Sequence, residues 1–307
     1  MADRFEDLRA FAAVVDAQGF AAAADRLGVA KSAVSRRIGD LEDRLGARLL
    51  DRTTRRMALT EAGRALHDRA VALLADLAAA EEEVASVTGA LGGRIRVAAP
   101  VSFTAHCLAP VVGRFLEAHP AVDLAIDTDD RMVDLVRDGF DLAIRIADLP
   151  SSSLVARRLA TIRHACVVSP ALLEQFGEPN HPDELKRFPG ILYSNVSDAH
   201  YWQFAEGQVP AIKCRIAFAN GDAIREAAIA GLGVALLPTF IVHDAIRRGE
   251  LRPILGSFMR PPIAMHALYP SRRHLPARVR AFIDFLAGTY GGAPFWDRGL
   301  FDGTPAT

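Results

Sequence analysis

Between Thr60 and Thr88 the chain carries no proline and, beyond Gly63, no glycine. Its apolar residues Leu66, Ala70, Leu73, Leu77, Ala80, Val84 and Val87 follow one another at alternating steps of four and three. That spacing draws a single stripe along a long helix, the pattern of a helix that pairs with another helix. A helix packed on its own domain shows the same stripe, and that alternative stays open. Thr60 suits the N-cap position, and the small Ala70 and Ala80 allow close helix approach. The helix ends in the glycine-rich residues 89–93, read as a hinge. It separates a short N-terminal segment, residues 1–60, from a long C-terminal one, residues 94–290.

The first segment reads as three short helices. Phe5, Leu8, Phe11, Val14 and Val15 share one helical face. Gln18-Gly19 interrupts the pattern, and a second helix runs from Phe20 to about Leu27. After a turn at Gly28-Val29, Val34, Ile38, Leu41 and Leu45 define the inner face of a third helix that begins near Lys31. Two helices joined by a tight turn form a helix-turn-helix, whose second helix enters the major groove of DNA. Its outer N-terminal part presents Lys31, Ser32, Ala33, Ser35, Arg36 and Arg37. Arginine bonds guanine bidentately, and a small alanine can approach a thymine methyl. The stretch from Leu49 to Thr60 reads as two short strands with a basic tip, a wing that brings Arg52, Arg55 and Arg56 to phosphates.

Charge supports this reading. The formal net charge is only -1, yet from Lys31 to Arg56 eight basic residues face four acidic ones, a local charge of +4. The bland alternative for each arginine is a solvated helix face.

The order Phe11, Gly19-Phe20, Ala22-Ala23-Ala24, Leu27, Val29, Ser32-Ala33-Val34-Ser35-Arg36, Ile38, Leu41-Glu42, Leu45-Gly46, Leu49-Leu50, Arg52 and Leu59-Thr60-Glu61-Ala62-Gly63 resembles the signature of LysR-type regulators. Gly19 and Ala30 depart from it, standing where the family often has a capping hydroxyl, and Lys31 stands where many members have Gln. The resemblance implies a winged helix-turn-helix, promoter DNA as partner, RNA polymerase as a further possible one, and a dimer that assembles into a tetramer.

Residues 94–290 alternate strands and helices. Strands are expected at Arg94–Ala99, Val122–Asp127, Asp141–Arg145, His164–Ser169, Cys214–Ala219 and Val234–Leu237. Helices are expected at Leu108–Ala118, around Met132–Arg137, at Asp222–Ala230 and at Ala277–Leu286. Repeated βαβ units imply open, largely parallel sheets, and ligands in such folds bind beyond the carboxyl ends of the strands. That rule selects Ser102 and Phe103 after the first strand, the latter as an apolar wall. It also selects Thr128 after the second and Ile146 after the third. Across the cleft, Asn220, Gly221 and Asp222 open a helix whose free N–H groups suit an anion or carbonyl. For Asp222 an N-cap role, and for Ser102 a purely structural one, are the alternatives.

Arg131 to Arg145 and Ala230 to Pro238 resemble the co-inducer domain of LysR-type proteins. The resemblance implies a two-lobed, periplasmic-binding-protein-like domain, with lobes of about 94–162 plus 267–290 and of 163–266, that binds a small-molecule effector. By the same resemblance Ser102 and Thr128 sit where relatives bind effector, and Ile146 stands where some aromatic-acid sensors have an Arg. The expected fold class is therefore α+β overall, with α/β lobes.

An enzyme is not expected. Ser102 lacks a Gly-x-Ser-x-Gly elbow, Gly231-Leu232-Gly233 precedes a strand where a dinucleotide site needs it to follow one, and no phosphate loop or metal-spaced His pair is present. No cofactor is implied. The charged N-terminus is unlike a signal peptide, and no apolar run reaches the roughly 18 residues of a membrane span, so a cytoplasmic protein is expected. Cys107, Cys166 and Cys214 are odd in number and far apart, which suits reduced thiols. A redox-sensing regulator of the same architecture is the alternative function. The tail, residues 291–307, is irregular; Phe295, Trp296 and Phe301 have no assigned place.

Overall fold

The computed structural model describes residues 4–52, 57–86, 91–131, 133–135, 137–147, 154–195, 202–207, 212–270, 275–292 and 294–300. They form two compact units, one built on the N-terminal ninety residues and the other on the elements that follow.

In the first unit α1 (Arg4–Asp16), α2 (Phe20–Leu27) and α3 (Lys31–Leu45) precede a two-stranded wing, β1 (Leu50–Arg52) and β2 (Met57–Leu59), and the long α4 (Glu61–Ser86). Phe11, Val14, Ala23, Val34, Ile38, Leu41 and Leu49 meet in one core; of the expected inner faces, Phe5 and Leu45, at the outer ends of α1 and α3, fall outside it and are 45% and 47% exposed. Neither Gly19 nor Ala30 caps its helix by a side chain, consistent with their lack of a hydroxyl. Glu42 ties the end of α3 to the wing by accepting the Leu49 amide at 2.8 Å and the Leu50 amide at 3.2 Å. Thr60 caps α4: its Oγ accepts the Gly63 amide at 2.9 Å and donates to the Arg48 carbonyl at 2.7 Å. A Cβ on Gly63 would lie 2.0 Å from the Leu49 carbonyl oxygen, so the helix can start against the wing only with glycine there.

The stripe on α4 divides. Ala70 is fully buried and Leu66 packs on the core of its own unit, so the first turns of the seam face inward. This corrects their assignment to a pairing surface: α1 already fills the space opposite them. Leu73 is 51% exposed and Ala80 is exposed, while Leu77 is half-buried. Val87 and the side chain of Val84 lie outside the described residues.

The second unit has two lobes. The first begins with β3 (Gly92–Ala99), α5 (Val101–Phe103), a π-helical turn at Thr104–Leu108 and α6 (Ala109–Ala118), then β4 (Ala121–Thr128), β5 (Leu142–Ile146) and β6 (Leu154–Ile162). The second lobe holds β7 (His164–Val168), α7 (Pro170–Phe176), β8 (Pro189–Tyr193), β9 (Lys213–Phe218), α8 (Gly221–Ile229), β10 (Ala235–Pro238), α9 (Thr239–Arg247) and β11 (Arg252–Ile254). The chain then returns to the first lobe as β12 (Ile263–Pro270) and α10 (Ala277–Tyr290).

The first sheet has the order β4-β3-β5-β12-β6, in which β3, β4 and β5 are parallel while β12 runs antiparallel to β5 and β6. The sheet is mixed rather than largely parallel because β6 and β12, which carry the chain to and from the other lobe, lie side by side. Pairing of Ile263 with Ile162 starts the return at 263, four residues before the expected boundary. In the second lobe β10-β7-β11 and the parallel pair β8-β9 are linked by a bridge between Gly190 and Val234. The expected helix around Met132–Arg137 is instead a turn in its described residues, closed by the Asp138 amide on the Asp134 carbonyl at 2.8 Å. The Asp134 amide, which a helix would send elsewhere, is taken by the Asp138 side chain at 3.1 Å.

Candidate nucleic-acid interface and ligand cleft

On α3 the inward residues Val34, Ile38 and Leu41 are fixed by the core, which leaves Lys31, Ser32 and Arg36 exposed, with Ala33, Ser35 and Arg37 at the edge. Among the described residues no ion pair engages Lys31 or Arg36, so both ammonium and guanidinium are free for an anionic partner. Arg37 differs: its guanidinium lies 3.4 Å from the Glu6 carboxylate of α1. Arg44 pairs with the buried Asp7 at 3.1 Å and serves the fold. The wing pairs Leu50 with Leu59 and Arg52 with Met57. Arg55, Arg56 and the side chain of Arg52 lie outside the described residues.

The junction of the two lobes brings together three of the selected residues. Ser102, only 5% exposed at the start of α5, donates to Oδ2 of Asp222 in the first turn of α8 at 2.7 Å. Gly221 lies beside them; a Cβ there would stand 2.5 Å from Ile241 Cδ1 and 3.4 Å from Ser102 Oγ. The other carboxylate oxygen of Asp222 receives the Arg225 guanidinium at 2.8 Å and the His106 ring nitrogen Nε2 at 2.5 Å. Burial opposes the charge on Asp222, but the hydrogen bonds from His106 and Ser102 and the charges of His106 and Arg225 outweigh it and hold the carboxyl below its ordinary range.

Two expectations are corrected here. Asp222 is not the N-cap of α8; Asn220 is, its side chain accepting the Ala223 amide at 3.1 Å. With that amide occupied and a carboxylate in the first turn, the helix end offers little to an anion. Phe103 is not an exposed cleft wall. It is wholly buried, edge-on to Phe240 at 5.7 Å and to Tyr290 at 5.5 Å. The aromatic partners that claim it come from α9 and α10, more than a hundred residues away.

Thr128 is exposed at the end of β4, paired with Ala99. Ile146 is half-buried at the end of β5, opposite Met265. Among the described residues, neither forms a hydrogen bond or ion pair with the Ser102 cluster. Arg145 is 7% exposed and donates to the backbone carbonyls of Asp129 at 3.3 Å and Arg131 at 2.9 Å, stapling the loop after β4. Burial lowers its pKa against the attraction of Asp129 and Asp130. That loop in turn presents Asp130, whose carboxylate accepts the Val101 amide at 3.0 Å. Burial pushes the Tyr193 phenol of β8 up, opposed by a hydrogen bond from Asn195 and reinforced by Asp130 across the cleft.

His106, Arg225, Asp130 and Tyr193 were not among the residues selected from sequence. Two had a readable signal: His106 follows Ser102 by four residues and Arg225 follows Asp222 by three, helical neighbours in each case. Asp130 and Tyr193 had none. Among the thiols, Cys107 and Cys166 are buried and Cys214 is exposed. Burial pushes Cys107 far up and Cys166 up to about 12, so both stay protonated.

A winged helix-turn-helix followed by a two-lobed α/β domain defines a DNA-binding regulator with a substrate-binding module. Residues 5–64 match the model of the bacterial regulatory helix-turn-helix protein, lysR family, and residues 88–290 match that of the LysR substrate binding domain. The HTH-type transcriptional regulator PtxR of Pseudomonas aeruginosa is 36% identical over 94% of this chain and 93% of its own. DmlR of Escherichia coli is 34% identical over 91% of this chain and 92% of its own. The solved structure of CrgA, a LysR-type transcriptional regulator from Neisseria meningitidis, is 32% identical with a TM-score of 0.61, covering 92% of this chain and 97% of that one. The chain belongs to the LysR family of DNA-binding transcriptional regulators, which are not enzymes. Among the described residues no helix is long and apolar enough to cross a membrane.

Proposed function

We propose that this regulator reads promoter DNA with α3 and the wing, and that a small molecule in the cleft between the lobes sets how it binds. One observation carries the second half of this reading: Ser102 and Asp222, on opposite lobes, bond to each other at 2.7 Å. A ligand that takes either partner exchanges with the contact that joins the lobes, so its binding energy goes directly into the lobe arrangement. Residues 89–93 pass that change to α4. The outer part of α4, with Leu73 exposed, pairs two chains, and two pairs form the tetramer that presents α3 to successive half-sites and meets RNA polymerase at the promoter. The burial of Cys107 and Cys166 weighs against a thiol switch.

Selection of fragmented genomic DNA by the purified full-length protein, beside Arg36→Ala at two salt concentrations, tests the DNA half. A few promoter fragments sharing an inverted repeat, lost in the variant, are expected. Uniform recovery that falls with salt for both proteins would reduce the binding to phosphate contacts alone.

A further inference from the structure

The substrate-binding match ends at residue 290, yet the chain beyond it is built into the domain. Trp296 is fully buried. Its ring lies 6.3 Å from Phe103 and 5.8 Å from Tyr290, both of the first lobe, and 6.0 Å from Phe240 of α9 in the second. The indole N–H has no hydrogen-bond partner among the described residues, so ring packing alone holds the side chain. The next residue is anchored by polar contacts. The Asp297 carboxylate accepts the Thr239 hydroxyl of α9 at 2.6 Å and lies 3.9 Å from Arg163, at the crossover from β6 to β7. Arg247, at the far end of α9, donates to the Arg298 carbonyl at 2.8 Å. A segment that leaves the first lobe at Tyr290 is thus fastened along the length of a second-lobe helix.

We propose that residues 294–300 act as a strap that limits how far the two lobes part. The covalent links between the lobes are the crossover at Arg163 and the stretch between β11 and β12. A hinge motion about those links is free to open the Ser102–Asp222 contact unless something spans the lobes elsewhere. The strap does so, because Trp296 sits on rings from both lobes at once, and opening must either pull it off Phe240 or off Phe103. The strap thereby sets the resting state on which any ligand of the cleft acts, whatever its identity.

The chain's own thiols allow a direct test. In a full-length Cys214→Ser background, Ser102→Cys places a label site between the lobes, and Cys166, buried in the second-lobe core, reports general loosening. The rates at which a small maleimide modifies each position are compared with and without Trp296→Ala. Labelling at position 102 is expected to speed up by about tenfold or more while Cys166 stays slow, the mark of a sub-global opening. Unchanged labelling at 102, or an equal rise at both positions, would overturn the proposal and make Trp296 an ordinary core residue. Thr239→Val removes the hydroxyl that donates to Asp297, together with its longer 3.3 Å contact to the Arg163 carbonyl, leaves the ring cluster intact and guards against a misfolded first variant. It is expected to give the same selectivity with a smaller rise, and no rise at 102 would again overturn the strap.

Discussion

Ser102 in the first lobe donates its hydroxyl to the Asp222 carboxylate in the second at 2.7 Å, so two residues selected separately as ligand contacts hold each other. Ser102→Ala removes one hydrogen bond to a charged group, about 1.5–3 kcal/mol. Asp222→Ala is expected to cost more, since it leaves His106 and Arg225 facing each other without their carboxylate. Denaturant midpoints of the full chain give the ranking. A cost for Ser102→Ala equal to or above that of Asp222→Ala would contradict it.

The same contact carries a pH dependence. The Asp222 carboxyl is held below its ordinary value, 3.8, by His106, Ser102 and Arg225 against the opposing effect of burial. A group whose folded pKa is depressed stabilises the fold above its unfolded pKa, and that stabilisation fades as pH falls through the folded value. It is therefore full at neutral pH and is lost in the acid range below about 4. Between pH 5 and 3 the wild-type chain should lose more stability than Asp222→Asn. Parallel losses would assign the acid sensitivity to other carboxylates.

The free and paired arginines of α3 should separate. Arg36 is exposed and has no ion pair among the described residues, whereas Arg37 lies 3.4 Å from Glu6. Arg36→Ala is expected to weaken binding to a selected promoter fragment by about 1–3 kcal/mol and to relax the sequence preference. Arg37→Ala should weaken it less. Titrations of both variants against the promoter and a scrambled duplex decide the point, and a larger loss in Arg37→Ala would reverse the assignment.

At the root of the wing Gly63 is irreplaceable on steric grounds. Gly63→Ala forces a Cβ to 2.0 Å from the Leu49 carbonyl, a contact with backbone that no rotamer change relieves. A loss of about 1–3 kcal/mol or more is expected in the first unit, against about 1 kcal/mol for Thr60→Ala, which removes a cap. Thermal melts compare them, and a Gly63→Ala chain as stable as the wild type would show that α4 meets the wing differently.

Along α4 the seam should divide in function as it does in burial. Leu73, 51% exposed, is expected to support pairing, so Leu73→Glu should shift the sedimenting species towards monomer with little change in melting. Ala70→Leu should instead destabilise the fold, because Ala70 is fully buried in its own unit. A Leu73→Glu dimer as tight as the wild type would move the interface elsewhere.

The N-terminal unit was legible because its signals are local. Three helical faces, a turn and a cap lie within about sixty residues, and each observed helix begins within a residue or so of the expected start. Periodicity marked the stripe on α4 but could not tell that its first turns meet α1. In the second unit the strand-end rule pointed to Ser102, and the helix opening at residues 220–222 pointed to Asp222. Their mutual bond, spanning 120 positions, left no trace in either neighbourhood. The π-helical turn that aims His106 at Asp222, the crossing strands β6 and β12, and the capture of Phe103 by Trp296 are all decided by distant partners. Local propensity carries no record of them.

The coupling between cleft and DNA is most directly tested with Asp222→Ala, which removes the Ser102–Asp222 contact between the lobes, about 180 positions from the recognition helix. Its affinity for a selected promoter fragment is measured beside the wild type, with the melting of the first unit as control. A changed affinity or footprint with an unchanged first unit is expected. Identical affinity and footprint, with the lobe contact shown to be lost, would contradict control of DNA binding from the cleft.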